Sequence, residues 1–166
     1  DEYGEGWRSL TLHGLNEDTQ TLNSYGDRAE TIKQLDWTWV ADECPVTKKF
    51  LTDVWPAEFL NRVRFMLLEP GGYILPHQDR ADEEKRLSVC NISLNNPDHC
   101  EFVMKDQGRV PFEDNGSAFL MDISNVHSVW NRSDKPRIHM IIHYELGRRI
   151  RDFFYVLRQS YYTNRG

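Results

Sequence analysis

A chain of 166 residues has the length of one domain with a single substantial core, and 39% hydrophobic with 12% aromatic residues excludes a disordered polymer. A net charge of −6 excludes the basic surface that non-specific nucleic-acid binding requires. No apolar run approaches the ~20 residues needed to span a bilayer, and Cys44, Cys90 and Cys100 cannot all pair and fit no zinc spacing, so reduced thiols in a cytoplasm are expected.

Residues 1–30 are polar and irregular, with Trp7 and a short strand candidate at Leu10-Thr11-Leu12. Ala29 to Leu35 is a candidate helical turn. Trp37 and Trp39, two apart, would share a strand face, which suits core or rim packing better than a substrate cage. Thr47 to Trp55 reads as a short helix with Phe50, Leu51 and Val54 on one face, stopped by Pro56. From Arg62 onward the pattern is β, with expected strands at 62–68, 73–78, 86–94, 100–105, 117–122, 127–131 and 137–144. Strands of this length between Gly, Pro, Asn and Asp turns suggest a double-sheet jelly roll. In the tail, Ile150, Phe153, Phe154, Leu157 and Tyr161 recur at helical spacing, interspersed with Arg148, Arg149, Arg151 and Arg158. That predicts a C-terminal helix packed outside a sheet, ahead of a partner-binding or dimerising helix. No repeat or low-complexity linker intervenes, so residues 1–166 read as one domain with its core at about 60–146.

The chemistry concentrates in His77-Gln78-Asp79, in His127 fifty residues later, and in Arg137 ten further on. Residues two apart on a strand project from one face, so His77 and Asp79 can converge on one metal ion. His127 would then supply a third ligand. Two imidazoles and one carboxylate with open positions beside them form the facial triad of non-heme Fe(II) oxygenases. A guanidinium at Arg137 suits the far carboxylate of a dicarboxylic acid bound to the iron. The four residues together read as a 2-oxoglutarate-dependent oxygenase. Context supports them: Glu69-Pro70-Gly71-Gly72 is a turn signal between two apolar stretches, Pro76 keeps Leu75 extended before His77, and the polar loop Ser124-Asn125-Val126 presents His127. On its own, His-x-Asp is far more often a polar pair at a strand end, with His127 a hydrogen-bonded histidine near a turn.

The stretch from Val63 through Glu69-Pro70-Gly71-Gly72 to Pro76-His77-Gln78-Asp79 resembles the first metal-binding segment of the aspartyl/asparaginyl β-hydroxylase family, whose relatives include free-proline hydroxylases. Gly116 to Asp122, His127 to Ser133, and Arg137 are similar to its second segment. The resemblance covers roughly residues 60–146. It implies a cupin-like double-stranded β-helix with flanking helices. It also implies Fe(II) on His77, Asp79 and His127, 2-oxoglutarate at Arg137, O2 as co-reactant, and no catalytic residue beyond the metal ligands. The animal enzyme that modifies EGF-like domains lacks the carboxylate ligand, whereas Asp79 is present here. The resemblance therefore points to the branch with a full triad and weakens transfer of that enzyme's substrate.

On the strand after the first ligand pair, Asn91 is expected to touch the cosubstrate and Arg86 a substrate carboxylate. The plainer alternatives are an Asn bonding a neighbouring loop and a strand-end Arg facing solvent. Period two puts His139 on the face of Arg137 with Ile141 and His143, as a buried supporting or packing histidine rather than a substrate contact or ligand. His13 and His99 read as surface residues, and Trp130 as a pocket wall or a packing residue with equal weight. The expected substrate is an amino acid, or an Asp/Asn-type residue in a peptide or protein, with neither nucleic acid nor membrane as partner. The competing class is a non-catalytic cupin-like domain that binds a metal and senses a small carboxylate; a metal-free, sugar-binding jelly roll would leave the spacing a coincidence.

Overall fold

The computed structural model describes residues 4–19, 28–79 and 89–163. Its elements in chain order are β1 (Gly4–Gly14), α1 (Arg28–Ile32), β2 (Asp36–Trp37), α2 (Trp39–Glu43), α3 (Pro45–Lys49), a wider helical turn (Phe50–Val54) and β3 (Phe59–His77). There follow β4 (Val89–Asn95), β5 (Cys100–Met104), β6 (Gly108–Arg109), β7 (Ala118–Leu120), β8 (His127–Asn131), β9 (Arg137–Glu145) and α4 (Ile150–Thr163). The molecule is mainly β, with helices flanking an antiparallel sheet ordered β6-β5-β8-β3-β9-β4-β7; β1 pairs with β3, and β2 with β1.

The sheet curls because β3 belongs to two leaves. Its first half pairs with β9, from Phe59↔Glu145 to Leu68↔Arg137, and its second half pairs with β8, from Tyr73↔Trp130 to His77↔His127. Between them, at 69–72, the register against β1 slips, so that Glu5 faces Tyr73 while Trp7 faces Leu68. The sequence suggests a turn separating two strands here; the chain bends through a bulge instead. Glycine is required at this point. Gly71 has φ +75°, and a Cβ on Gly72 would come within 2.9–3.0 Å of Glu69 O, Leu68 Cδ1 and Glu5 O.

Strand alternation then sorts the side chains into two cores. Outside the main leaf, Leu12, Val63, Cys90, Ile92, Met140, Ile142 and Tyr144 pack against Val40, Ala41, Leu51 and Phe153 of the helical elements. Inside the curl, Leu68, Phe102, Met104, Phe112, Met121 and Val129 form the second core. Phe112 joins the leaves, with its ring 6.0 Å from Phe102, 4.9 Å from Phe119 and 4.6 Å from His139.

Several expected faces are narrower or turned. β1 runs for 11 residues rather than three; from Glu5 to Leu10 it is exposed or half-buried, and from Thr11 to Gly14 it is buried. Trp39 opens α2 and is exposed, so Trp37 and Trp39 share no strand face; Trp37 instead meets His13 edge-on at 5.1 Å. In the expected 47–55 helix, Trp55 N–H donates to Phe50 O, an i→i+5 turn. This widening shifts the phase, leaving Leu51 buried and Val54 exposed. The C-terminal helix forms, but it docks along one edge only: Phe153 is buried against Tyr144 and Leu157 packs on the same core, while Ile150 and Phe154 are exposed. Tyr161's side chain and Arg86 lie outside what the structure describes. Among the described residues no helix is long and apolar enough to cross a membrane.

This docking makes a sharp contrast between neighbours. Phe153→Ala should cost about 3–5 kcal/mol of unfolding free energy, and Phe154→Ala within about 0.5 kcal/mol of nothing. Urea denaturation of the two variants measures both.

Candidate metal centre and buried arginine

The end of β3 and the start of β8 are adjacent, with His77 paired to His127. The two ligand-bearing segments are also tied to each other beyond the ladder. Asp79 N–H donates to Ile123 O at 3.0 Å, and Gln78 Nε2 to Ser124 O at 2.8 Å. The 122–125 loop is shaped by Asp122, whose carboxylate accepts from the N–H and hydroxyl of Ser124. These ties bring His77, Asp79 and His127 together, with one donor atom from each lying within 4.8 Å of the others.

Both imidazoles are held by the same local device. His77 Nδ1 lies 2.8 Å from Leu75 O and His127 Nδ1 2.9 Å from Asn125 O. A carbonyl can only accept, so each Nδ1 carries the proton and each Nε2 keeps its lone pair. His77 Nε2 is 3.6 Å from Asp79 Oδ1. His127 is stacked flat on Phe102 at 5.5 Å and 6°. Burial pushes the His127 pKa down, with the His77 ring adding to the effect, while the Asn125 carbonyl and Asp79 oppose it. The shift favours the neutral imidazole, the form that can hold a metal ion. Two open imidazole nitrogens, a carboxylate and no thiolate make a donor set that fits a divalent ion of the Fe(II) type.

Deeper in the curl, Arg137 is 4% exposed. Its partners are neutral: Nε donates to Asn96 Oδ1 at 3.3 Å, Nη2 to His139 Nδ1 at 2.9 Å, and the guanidinium lies 5.9 Å from the Phe112 ring centre. Among the described residues no carboxylate forms an ion pair with it. Burial lowers its pKa to about 10, so it is still a cation at neutral pH. His139 is fully buried, and burial together with Arg137 drives its pKa to about 2. The protons follow from that charge. Nδ1 accepts from Arg137, and Nε2–H donates to Asn96 Oδ1 at 3.0 Å. The Asn91 side-chain amide is 2.7 Å from the same Nδ1 and must present its NH2 there, since an amide's two ends are assigned by their partners.

The expected residues thus separate into placed and unplaced. His77, Asp79 and His127 converge, and Arg137 and His139 lie together on the inner face with Asn91 beside them. Asn91 bonds His139 rather than a loop. Trp130 alternates away from His127 and stacks on Tyr73 at 5.1 Å and 21° outside the curl, so it packs and does not wall the interior. His99 is exposed as expected, but His13 is buried, its Nδ1 2.6 Å from Asn61 O; β1 is longer than its polar sequence suggests and carries it under Trp37. Two residues went unread. Asn96 reads as part of a surface turn, yet it is buried and accepts from both Arg137 and His139. Arg64 reads as one position in an apolar strand, yet it is a buried cation, and its odd place among Val63, Phe65 and Leu68 was the available signal.

A family model described as aspartyl/asparaginyl β-hydroxylase matches residues 1–145. This chain belongs to that family. No curated protein sequence matches it. Among solved structures it is similar to an oxidoreductase of the 2OG-Fe(II) oxygenase family from Burkholderia pseudomallei, at 18% identity and TM-score 0.48, over 86% of this chain and 69% of the other. A Cupin 2 conserved barrel protein from Salinispora arenicola CNS-205 aligns at 17% identity and TM-score 0.39, over 58% and 74%. A cupin domain from Bordetella pertussis aligns at 17% and 0.40, over 53% and 83%.

In this β-hydroxylase-family chain the buried His139 sets a pH dependence. Its folded pKa lies below the unfolded value of about 6.5, so between those values the unfolded chain binds the extra proton and the folded one does not. Stability is full above about pH 6.5 and falls as the pH drops, by up to roughly 1.4 kcal/mol per unit from this group. Denaturation at pH 7, 6 and 5 should show a slope that weakens in His139→Gln, and the His139 ring should show no titration by NMR down to pH 5.

Proposed function

We propose that this protein is an Fe(II)- and 2-oxoglutarate-dependent dioxygenase that hydroxylates an amino acid, or an Asp/Asn-type residue in a peptide or protein. The observation that carries the reading is a pair of features in one interior: an open His-Asp-His donor set, and a buried guanidinium with only neutral partners. A buried cation without a counter-ion is expensive, and an anionic cosubstrate relieves that expense. Family membership and its description support the class of reaction.

In this reading His77, Asp79 and His127 hold the metal by Nε2, a carboxylate oxygen and Nε2. With Fe(II), 2-oxoglutarate and O2 bound, the cofactors supply the oxidising power that puts one oxygen into an unactivated C–H bond and releases succinate and CO2. The chain's own contribution is positional. Arg137 receives the C5 carboxylate through a planar fork whose direction is fixed by Asn96 and His139. His139, neutral at working pH, adds no second charge to compete for that carboxylate. Asn91 steers the cosubstrate through the ring it bonds and, at its edge, directly. Phe102 and Phe112 line the way between His127 and His139 and exclude water.

Two substitutions separate the parts. His127→Ala should lose Fe(II) or Mn(II) binding and all succinate formation. Arg137→Ala should keep metal binding but raise the 2-oxoglutarate requirement by roughly thirtyfold or more, the scale of about 2–5 kcal/mol for a truncated buried charge partner. Metal titration and succinate release with 2-oxoglutarate, without added substrate, read both. Metal and 2-oxoglutarate binding with no succinate under any added amino acid or peptide would make the protein a binding domain instead.

A further inference from the structure

From the loops at the end of the curl opposite the metal ligands, we infer a second binding site, one that takes an amino acid with a cationic side chain, free or within a peptide. β8 carries His127 at its first residue and Asn131 at its last, about 13 Å apart at ordinary strand rise. Beyond Asn131, the 132–135 turn joins the 95–99 turn and the 112–114 segment in lining a cavity of about 730 Å³. That lies within the roughly 300–1,000 Å³ of small-molecule sites and is large enough for a whole amino acid. None of His77, Asp79 and His127 lines it. Its buried wall is formed by Asn96 and Phe112, which also contact Arg137.

The walls are tied to one another. Asn96 N–H donates to Asp114 O at 2.7 Å, Arg132 N–H to His99 O at 3.0 Å, and Asn95 Nδ2 to Pro136 O at 2.8 Å. Asn131 Nδ2 holds Lys135 O at 2.8 Å. Loops bonded in this way make a cavity whose shape precedes its ligand. The charges on its walls select that ligand. Arg109 and Arg132 share Glu101, at 4.0 and 3.6 Å, so these two cations already have an anion. The carboxylates of Asp98, Glu113, Asp114 and Asp134 and the ammonium of Lys135 form no ion pair or hydrogen bond among the described residues. Four acids against one base favour a cation and repel a second dicarboxylate. Lys135 gives such a ligand's carboxylate or carbonyl a partner as well. An amino acid with a guanidinium or ammonium side chain carries both groups.

The test is calorimetric titration of the full chain at low ionic strength, where exposed charges are least screened. Zn(II) and N-oxalylglycine, a non-reacting mimic of 2-oxoglutarate, are present throughout to fill the metal centre and Arg137. L-Arginine against L-citrulline compares a guanidinium with a neutral group of the same shape in a free amino acid. Their Nα-acetyl N-methylamides make the same comparison for a residue within a peptide. Wild type should bind the cationic member of at least one pair roughly fivefold tighter, the scale of one exposed ion pair. Asp114→Asn combined with Asp134→Asn should erase that preference, and the fold survives because neither side chain bonds the protein. A preference in the free pair alone assigns a free amino acid held by its carboxylate at Lys135; one that persists in the amides assigns a residue within a peptide. Equal binding within both pairs, or a preference undiminished in the double variant, would overturn the proposal. Neither result bears on the oxygenase reading, which concerns the other end of the curl.

Discussion

The bend in β3 is the constraint on which the remaining features depend. One strand carries Arg64 and Leu68 on the main leaf and, past Gly71 and Gly72, delivers His77 to the second leaf beside His127. Had the chain broken there into a loop, the angle between leaves would rest on flexible backbone, and a three-ligand centre needs its donors held to a fraction of an ångström. Keeping the ladder intact through a bulge transmits the rigidity of β9 and β8 to His77 at the strand's end. The glycines are what allow it: Gly71 takes a left-handed φ, and Gly72 leaves no room for a Cβ between Glu5, Leu68 and Glu69.

Around that frame the protein spends its polar groups on orientation. The imidazoles of His77 and His127 are each fixed by the carbonyl two residues before, a contact that leaves Nε2 turned outward at little entropic cost. Arg137 is fixed by an amide and an imidazole rather than by a carboxylate. A local acid would neutralise it and compete with any incoming anion. The neutral network keeps the charge available while satisfying the donors that point away from the pocket, a balance in which each member must have its partner.

The aromatic residues connect these two regions. Phe102 stacks on His127 and meets Phe112, which touches both His139 and Arg137. A low-dielectric lining strengthens every electrostatic contact within it, so the same packing that joins the leaves also strengthens the contacts of Arg137 with Asn96 and His139. Loss of Phe112 would therefore be felt in the core and in the pocket together.

Much of the site was legible in the sequence because metal and carboxylate chemistry demand particular side chains at short, regular spacings. His77 and Asp79 two apart, His127 after a polar loop, and Arg137 with His139 on one strand face all follow from period two and ligand identity. The β pattern and C-terminal helix followed from hydrophobic periodicity, which records burial. Tertiary structure alone decided which of two faces, and how deep. Asn96 looks like any turn residue until β4 and the 112–114 segment close over it, and His13 looks polar and exposed until Trp37 covers it. Arg64 is one charge in an apolar run until pairing with β9 turns it inward. Composition and spacing specify the chemistry a strand can offer; its register against neighbours specifies where that chemistry points, and register is set by contacts between residues far apart in the chain.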